Sequence, residues 1–361
     1  MLTSGRPLTT SLLALTLAAG CAAEPVASPK AATPPPPPLT PAQTATPPLS
    51  AAESRAETLL SRMTLEEKLA YVGGDRDFYI RGIERLGLPP IKLADGPLGC
   101  RNWGPSTAYP ATVGLAASFD GALATRVGSS IGRDCRARGV HMLLAPGVNL
   151  QRSPLSGRNF EYMGEDPLLA GSLATQYVKG VQGEGVLATV KHFAANNQEW
   201  DRNHVSSEVD ERTLRELYFP AFEQVVKEGK VAAVMSSYNL LNGIYASHNP
   251  WLLKTVLRQQ WGFSGIVVSD WVAIHDPVGG ALGGCDLEMP SAAQMSPANL
   301  RQLLESGTMS EAQLDDKVRH ILRTIVAAGF LDREQTRKDI PLDDPTSRAT
   351  ALQAARESLV L

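Results

Sequence analysis

The stretch "GIVVSDW" at residues 265–271 joins a buried strand to two side chains that can act on a ligand. Its first four residues are small or apolar, and such a run predicts a strand that is buried on both faces. Asp270 and Trp271 come directly after this run. Because parallel α/β sheets carry their functional groups at the carboxyl ends of the strands, this stretch bears on both the fold and the site.

Similar apolar runs recur along the chain, with amphipathic helices between them. The predicted strands are "IKLADGP" (91–97), "VHMLLAPGVNL" (140–150), "GVLATVKHF" (185–193), "VAAVMSSYN" (231–239) and "GGCDLEMP" (283–290). Strands that alternate with helices are typical of a parallel sheet. The first strand carries no GxGxxG motif, which disfavours a doubly wound dinucleotide-binding sheet. We therefore predict an α/β fold, a (β/α)8 TIM-type barrel with some irregular units.

Local capping signals predict where the helices begin. They are the box formed by Thr64 and Glu67, Asp120, Asp166 before Pro167, Asn249 before Pro250, and the box formed by Ser310 and Gln313. Pro220 lies inside the amphipathic pattern of residues 208–229. Proline cannot donate the helical hydrogen bond, so we expect that helix to be kinked or interrupted.

The amino-terminal residues are predicted to lie outside the fold. Residues 1–21 have one Arg, a short apolar stretch and small residues before Cys21, the pattern of a secretory signal. "LAAGC" (17–21) resembles the bacterial lipobox, although Ala18 stands where Leu is usual; the alternative is an ordinary signal peptide cut nearby. Residues 22–50 form a Pro-rich linker. We expect a periplasmic or extracellular protein whose contact with a membrane is a lipid anchor at Cys21.

Composition narrows the classes of protein. With 43% hydrophobic residues, 20% charged residues and a net charge of −3, the chain is an ordinary globular protein without the basic patch that nucleic acid requires. Cys100, Cys135 and Cys285 allow at most one disulfide and do not match a zinc site. We predict buried cysteines, no metal and no cofactor.

Polar side chains stand at the carboxyl ends of four predicted strands. They are Asp95, Lys191 with His192, Tyr238 and Asp270. Three of these strand ends have a structural alternative: Asp270 can cap a helix, Asp95 can belong to the turn before Gly96 and Pro97, and Lys191 and His192 can lie at the surface. Taken together they indicate a polyol site in which Lys191, Arg158 and Arg202 keep the Asp270 carboxylate charged near neutral pH.

Several motifs in the same order resemble the glycoside hydrolase family 3 β-glucosidases. They are "LADGP", "GRNFEYMGEDP", "VKHFAANNQE", "SSYN", "HNPWLL" and "WGFSGIVVSDW". The resemblance implies that Asp270 is the nucleophile of a retaining reaction and that Tyr238 steadies it. It also implies that the sugar is bound by Asp95, Arg158, Lys191, His192, Arg202, Met235 and Trp271. Arg158 has an alternative role as the structural partner of Glu161.

Two departures from the family pattern affect the expected function. The sequence after "KHF" lacks the Gly-rich loop with a His–Asp pair that marks the N-acetylglucosaminidases. The acid/base Glu of multidomain relatives lies in a second domain, and residues 346–361 resemble the entry into that domain, after a barrel at 51–345. Glu161 and Glu165 are the alternatives within the chain. We expect an exo-glycosidase acting on terminal β-linked glucose; a β-xylosidase, an exo-β-glucanase or a carbohydrate-binding protein without catalysis remain open.

Overall fold

A computed structural model of the protein describes residues 50–360. The predicted signal peptide, Cys21 and nearly all of the Pro-rich linker lie outside these residues. The strands are β1 (Gly74–Asp75), β2 (Tyr79–Ile80), β3 (Ile91–Asp95), β4 (Met142–Leu144), β5 (Leu187–Phe193), β6 (Ser206–Ser207), β7 (Ala233–Ser236), β8 (Leu240–Leu241), β9 (Ile244–Tyr245) and β10 (Ile266–Ser269).

The main sheet has the strand order β1-β2-β3-β4-β5-β7-β10. From β3 to β10 the neighbouring strands run parallel, and Val268 lies opposite Met235. Isolated parallel bridges continue the sheet from Val268 to Leu287 and from Glu288 to Gly73, next to β1. The result is a curled mixed sheet surrounded by helices, consistent with an α/β barrel.

The sheet departs from a regular (β/α)8 barrel. Strand β2 is antiparallel to both of its neighbours. The loop that joins it to β1 has three residues and is too short for a helical crossover, so that pair must be antiparallel. The stretch "GGCDLEMP" contributes bridges at Leu287 and Glu288 and no named strand. A small separate sheet, β6-β8-β9, lies beside the carboxyl ends of β5 and β7 in sequence.

The predicted caps of the helices are present. The helices are α1 (Ala51–Arg62), α2 (Leu65–Tyr71), α3 (Thr112–Ala117), α4 (Gly121–Ala137), α5 (Pro167–Gly183), α6 (Glu211–Thr213), α7 (Pro220–Lys227), α8 (Pro277–Leu282), α9 (Pro297–Glu305), α10 (Glu311–Ala327) and α11 (Pro345–Glu357). The Asp120 and Asp166 carboxylates accept backbone N–H groups of α4 and α5, and both predicted capping boxes form at α2 and α10.

Two helical segments are less regular than expected. The helix around Pro220 is interrupted as predicted: Leu214–Tyr218 is π-helical between α6 and α7. The segment predicted as an α-helix after Asn249 is also π-helical, over Trp251–Gln260. Asn249 still caps it, since its side-chain oxygen accepts the Leu252 N–H at 3.1 Å. Capping fixes where a helix starts and leaves the later hydrogen-bond spacing free.

The core lies between the sheet and its helices. All seven residues of β5 and all four of β10 are buried, as expected for strands covered on both faces. The three cysteines Cys100, Cys135 and Cys285 are buried and free, which confirms their predicted role as small buried residues. None of the helices in residues 50–360 has the length and apolarity to traverse a bilayer.

Candidate active site

A cavity of about 250 Å³ opens at the carboxyl ends of the parallel strands. All nine residues that the sequence singled out line it: Asp95, Arg158, Lys191, His192, Arg202, Met235, Tyr238, Asp270 and Trp271. Phe78 and Leu144 complete the lining. The strand order places these residues together, because β3, β4, β5, β7 and β10 are consecutive neighbours whose carboxyl ends face the same way.

Asp270 is the buried carboxylate of the cavity, 6% exposed. Its Oδ1 accepts the Trp271 N–H at 2.8 Å. Its Oδ2 lies 3.5 Å from His192 Nε2 and 4.0 Å from Arg158 Nη1. That oxygen is buried and has no hydrogen-bond partner among residues 50–360. A buried acceptor without a donor is unfavourable, so this oxygen is available to a group that enters the cavity.

Burial raises the pKa of Asp270 above its ordinary value of 3.8, although Arg158 and Lys191 act in the opposite direction. The sequence-based expectation, that Lys191, Arg158 and Arg202 keep this carboxylate charged, did not include the effect of burial. The loss of water around a fully enclosed carboxylate outweighs the attraction of cations that do not touch it. Asp270 therefore needs Arg158 and Lys191 to remain ionised in this environment.

Arg158 connects three members of the site. It forms an ion pair with Glu161, its Nη2 donates to His192 Nε2 at 2.8 Å, and its Nη1 lies near Asp270. Since a guanidinium can only donate, His192 Nε2 accepts, and the ring proton is on Nδ1, 3.1 Å from the Tyr162 hydroxyl. Burial lowers the pKa of His192 well below its ordinary value, with Arg158 and Lys191 adding to the effect. His192 is therefore neutral.

Asp95 and Lys191 form the second charged pair of the cavity. Lys191 Nζ donates to Asp95 Oδ1 at 3.1 Å, and Arg101 pairs with the other oxygen of Asp95. Burial opposes ionisation of Asp95, but Lys191 and Arg101 outweigh it and lower the pKa of Asp95. Lys191 is 3% exposed and also lies 3.8 Å from Glu161 Oε2. Lys191 is thus a buried cation with carboxylates on two sides, and not a surface residue.

Tyr238 and Arg202 form the wall near the Asp270 carboxylate. The Arg202 guanidinium lies 4.1 Å from the centroid of the Tyr238 ring, in a cation–π contact. Arg202 Nη1 also donates to Glu199 at 2.7 Å. Burial raises the pKa of Tyr238, and the Asp270 carboxylate adds to the effect. The phenol therefore stays protonated and can donate.

Aromatic and apolar side chains form the remaining walls. Trp271 packs on Phe78 with ring centroids 4.9 Å apart. Met235 is 2% exposed and lies on the strand next to Asp270. An indole beside polar groups suits the C–H face of a sugar. The cavity thus combines fixed charged groups with a flat apolar surface.

The two other acidic residues considered from the sequence lie in different settings. Glu161 is 4% exposed and contacts both Arg158 and Lys191, so the structural Arg158–Glu161 pair exists alongside the position of Arg158 in the cavity. Glu165 lines a separate surface cavity with Gln151 and Arg152. Neither is among the residues that line the Asp270 cavity.

Sequence reasoning missed Phe78, Leu144, Arg101 and Tyr162. Leu144 is the last residue of β4, and the sequence pattern predicts that strand. It was missed because a strand end indicates a site only where its side chain is polar, and this side chain is apolar. Phe78 lies in the turn between the two-residue strands β1 and β2, where the sequence shows no periodicity. Within residues 50–360 no cluster of three or more His, Cys, Asp or Glu side chains is arranged to hold a metal ion.

The curled α/β sheet and the buried carboxylate at its carboxyl edge define a domain of the glycoside hydrolase class. The chain belongs to glycosyl hydrolase family 3, whose N terminal domain model matches residues 79–324. Thermostable beta-glucosidase B of Acetivibrio thermocellus is 44% identical over 315 residues, covering 84% of this chain and 41% of that protein. A beta-glucosidase of Rhizobium radiobacter is 42% identical, with 84% and 38% covered.

Solved structures of similar proteins include two with a sugar bound. Beta-glucosidase 3B from Thermotoga neapolitana, in complex with alpha-D-glucose, has a TM-score of 0.79 at 39% identity, covering 84% of this chain and 47% of that one. DesR, a beta-glucosidase from Streptomyces venezuelae in complex with D-glucose, has a TM-score of 0.80 at 39% identity, with 85% and 42% covered. The chain spans about two-fifths of the length of the curated relatives named above.

Proposed function

We propose that this chain forms the domain of an exo-β-glucosidase that binds the sugar and carries the nucleophile. The protein removes terminal, non-reducing β-D-glucosyl residues from oligosaccharides, with Asp270 attacking the sugar. The observation that supports this most directly is Asp270 Oδ2, a buried carboxylate oxygen in the cavity with no hydrogen-bond partner among the described residues.

The geometry suits a two-step reaction that retains the configuration of the anomeric carbon. The Trp271 N–H holds Asp270 Oδ1 at 2.8 Å, which leaves Oδ2 to form an ester bond with the anomeric carbon as the bond from that carbon to the leaving oxygen breaks. Water then cleaves the ester and Asp270 returns as a carboxylate. Arg158 and Lys191 favour the ionised carboxylate before attack. Tyr238, whose phenol stays protonated, also favours the ionised form of this carboxylate.

The remaining groups of the cavity hold the sugar ring. The ionised Asp95 and the cation Lys191, 3.1 Å apart, offer an acceptor and a donor for neighbouring hydroxyl groups. His192, Arg158 and Arg202 act on the same ring, while Met235 and Trp271 shape the apolar side of the cavity. Each group is a partner for a neutral polyol, and no substrate charge is required.

The general acid comes from outside the described residues. Of the carboxylates that line the cavity, Asp95 is paired with Lys191 and Arg101, and Asp270 is assigned as the nucleophile. Glu161 is paired with two cations. General acid assistance accelerates such reactions by about 10²- to 10⁴-fold, so this chain by itself should favour substrates with good leaving groups. From the predicted signal and lipobox we also propose a periplasmic or extracellular location.

Trapping the covalent intermediate tests the proposal. The 361-residue chain is incubated with a 2-deoxy-2-fluoro β-glucoside that has a dinitrophenyl leaving group, and peptides are analysed by mass spectrometry. We expect one added sugar on the peptide that carries Asp270 and none in Asp270→Asn. Glu165→Gln, which changes a carboxylate of another cavity, is the matched control and should label like the wild type. Glucose binding without any adduct would instead support a carbohydrate-binding protein without catalysis.

A second candidate concerns the identity of the sugar. Exo-alpha-(1->6)-L-arabinopyranosidase of Bifidobacterium longum is 38% identical over 313 residues, so family membership leaves the sugar open. A panel of aryl β-glucoside, β-xyloside and α-L-arabinopyranoside separates these activities. Higher kcat/KM on either pentoside than on the glucoside would replace β-glucosidase by that activity. Activity on long β-glucans would indicate an exo-glucanase.

A further inference from the structure

The segment after Asp270 holds the carboxylate in the cavity and is itself held by a neighbouring loop. Val272 has a positive φ of 62°, a conformation that β-branched residues rarely adopt. The Ser247 hydroxyl donates to the Ala273 carbonyl at 2.5 Å. The Val272 N–H donates to the Met289 carbonyl at 2.9 Å. A turn with such a conformation persists when surrounding contacts fix it.

His248 makes the next contact with this segment. Its Nε2 accepts the backbone N–H of His275 at 3.1 Å, and its Nδ1 lies 3.1 Å from Asp276 Oδ2. A backbone N–H can only donate, so Nε2 carries a lone pair and the ring proton is on Nδ1, donated to Asp276. Burial lowers the pKa of His248 and His275 adds to the effect, while Asp276 opposes it. The neutral tautomer that this arrangement needs is the favoured one.

The side chain of His248 packs closely against two glycines. A Cβ on Gly279 would lie 2.3 Å from His248 Nδ1, and a Cβ on Gly283 would lie 2.5 Å from its Cα. Both distances are shorter than atoms tolerate, so the two glycines of the α8 region make the space for His248. On the other side, Tyr245 stacks on the His275 ring at 3.8 Å. The contacts thus come from two elements that both adjoin the Asp270 segment.

We propose that His248, oriented by Asp276, is a positioning residue that fixes residues 271–276 and so keeps Asp270 Oδ2 facing the cavity. His248 is absent from the cavity lining and acts through the backbone of His275. The inference rests on the proposed role of Asp270 as nucleophile. It explains why an Asp–His pair, in which the His248 side chain is largely buried and Asp276 is exposed, lies next to the catalytic segment without contacting the sugar.

The charged groups around the pair determine how it responds to acid. Asp276 and His275 face His248, and His204 lies close enough to His275 to lower the pKa of that residue. Protonation of His248 Nε2 removes the acceptor for the His275 N–H. We therefore expect the wild type to lose the fixed geometry at acidic pH, before the fold is lost.

Hydrogen exchange and trapping together test the inference on the 361-residue chain. In His248→Ala we expect the backbone amides of 271–276 to exchange at least tenfold faster than in the wild type. The maximal rate of trapping by the fluoroglucoside should fall at least tenfold, with its half-saturating concentration changed less than threefold. The amide oxygen of Gln can accept the same N–H, so His248→Gln should recover most of the slow exchange and most of the trapping rate. Lys338→Ala, which changes an exposed side chain paired with Glu334, is the control and should behave as the wild type.

The outcomes separate this inference from the proposed function. If the wild type is not trapped, the nucleophile assignment fails, while exchange at 271–276 still decides whether His248 fixes the segment. Unchanged exchange in His248→Ala would refute the inference even with trapping intact. If His248→Ala does not fold, His248→Gln is compared with His248→Leu, which is similar in size and cannot accept. Equal trapping rates in that pair would overturn the positioning role.

Discussion

Arg158→Met should make the Asp270 carboxylate harder to ionise and shift the activity to higher pH. Arg158 Nη1 lies 4.0 Å from Asp270 Oδ2. With an effective dielectric constant of about 20, two unit charges at that distance attract by about 4 kcal/mol. That energy corresponds to about a thousandfold in the ratio of ionised to protonated carboxylate. Glu161 shares the guanidinium and offsets part of its field, so we expect a change of at least tenfold.

The sign of the effect follows from the form that reacts. Burial already raises the pKa of Asp270, with Arg158 and Lys191 opposing the rise. Loss of Arg158 raises that pKa further, and because the ionised form attacks, the acidic limb of the pH–rate profile moves upward in pH. Arg158→Lys keeps a positive charge and should move the limb less than Arg158→Met does.

The assay is the rate of trapping by the fluoroglucoside between pH 4 and 8, with circular dichroism of each variant as a check on folding. Trapping does not need a general acid when the leaving group is good. Because His248 is the same in all of these variants, a shift of the acidic limb between them reports the ionisation of Asp270. A folded Arg158→Met variant whose acidic limb coincides with that of the wild type would refute the electrostatic role of Arg158.

Three further predictions concern stability and binding. Burial raises the pKa of Asp134 from 3.8 to about 6, so the unfolding free energy should fall by about 2 kcal/mol as pH rises from 4 to 6. This contribution to the pH dependence should be missing when Asp134→Asn is unfolded with urea. Gly128→Ala places a Cβ 2.2 Å from the Tyr177 carbonyl and should cost about 1–3 kcal/mol in thermal unfolding, whereas Gly183→Ala, with open space around it, should be neutral or stabilising. Asp95→Asn weakens a charge-assisted contact and should lower kcat/KM on an aryl glucoside about ten- to a hundredfold.

The sequence predicts those parts of the structure that local physics determines. Asp120 and Asp166 cap their helices because the side chain and the N–H groups it accepts lie within three residues of each other. Runs of apolar residues predict the buried strands, so the strand ends that carry Asp95, Lys191 and Asp270 could be located in the sequence. Parallel order then brings distant strand ends together, which is why the cavity contains every residue predicted for it.

Features that depend on tertiary contacts could not be predicted. Strands β1 and β2 have two residues each, too few for periodicity, so neither the antiparallel β2 nor Phe78 in the cavity could be foreseen. The amphipathic pattern of Trp251–Gln260 does not distinguish π-helical from α-helical hydrogen bonding, so the π-helix could not be predicted. The raised pKa of Asp270 depends on how completely the carboxylate is enclosed, and sequence gives its charged neighbours but not its access to water.

The antiparallel hairpin supplies one wall of the cavity, where Phe78 packs on Trp271. Phe78 lies in a turn between two-residue strands, whereas Asp95 and Lys191 lie on β3 and β5 and Asp270 directly follows β10. Replacing residues 76–78, or lengthening that turn, changes the shape of the cavity wall that an incoming glycoside meets. The reactive groups keep their positions on the parallel strands. Diversification of ligand preference can therefore proceed at the hairpin without rebuilding the chemistry, and libraries that randomise it are a practical route to altered selectivity.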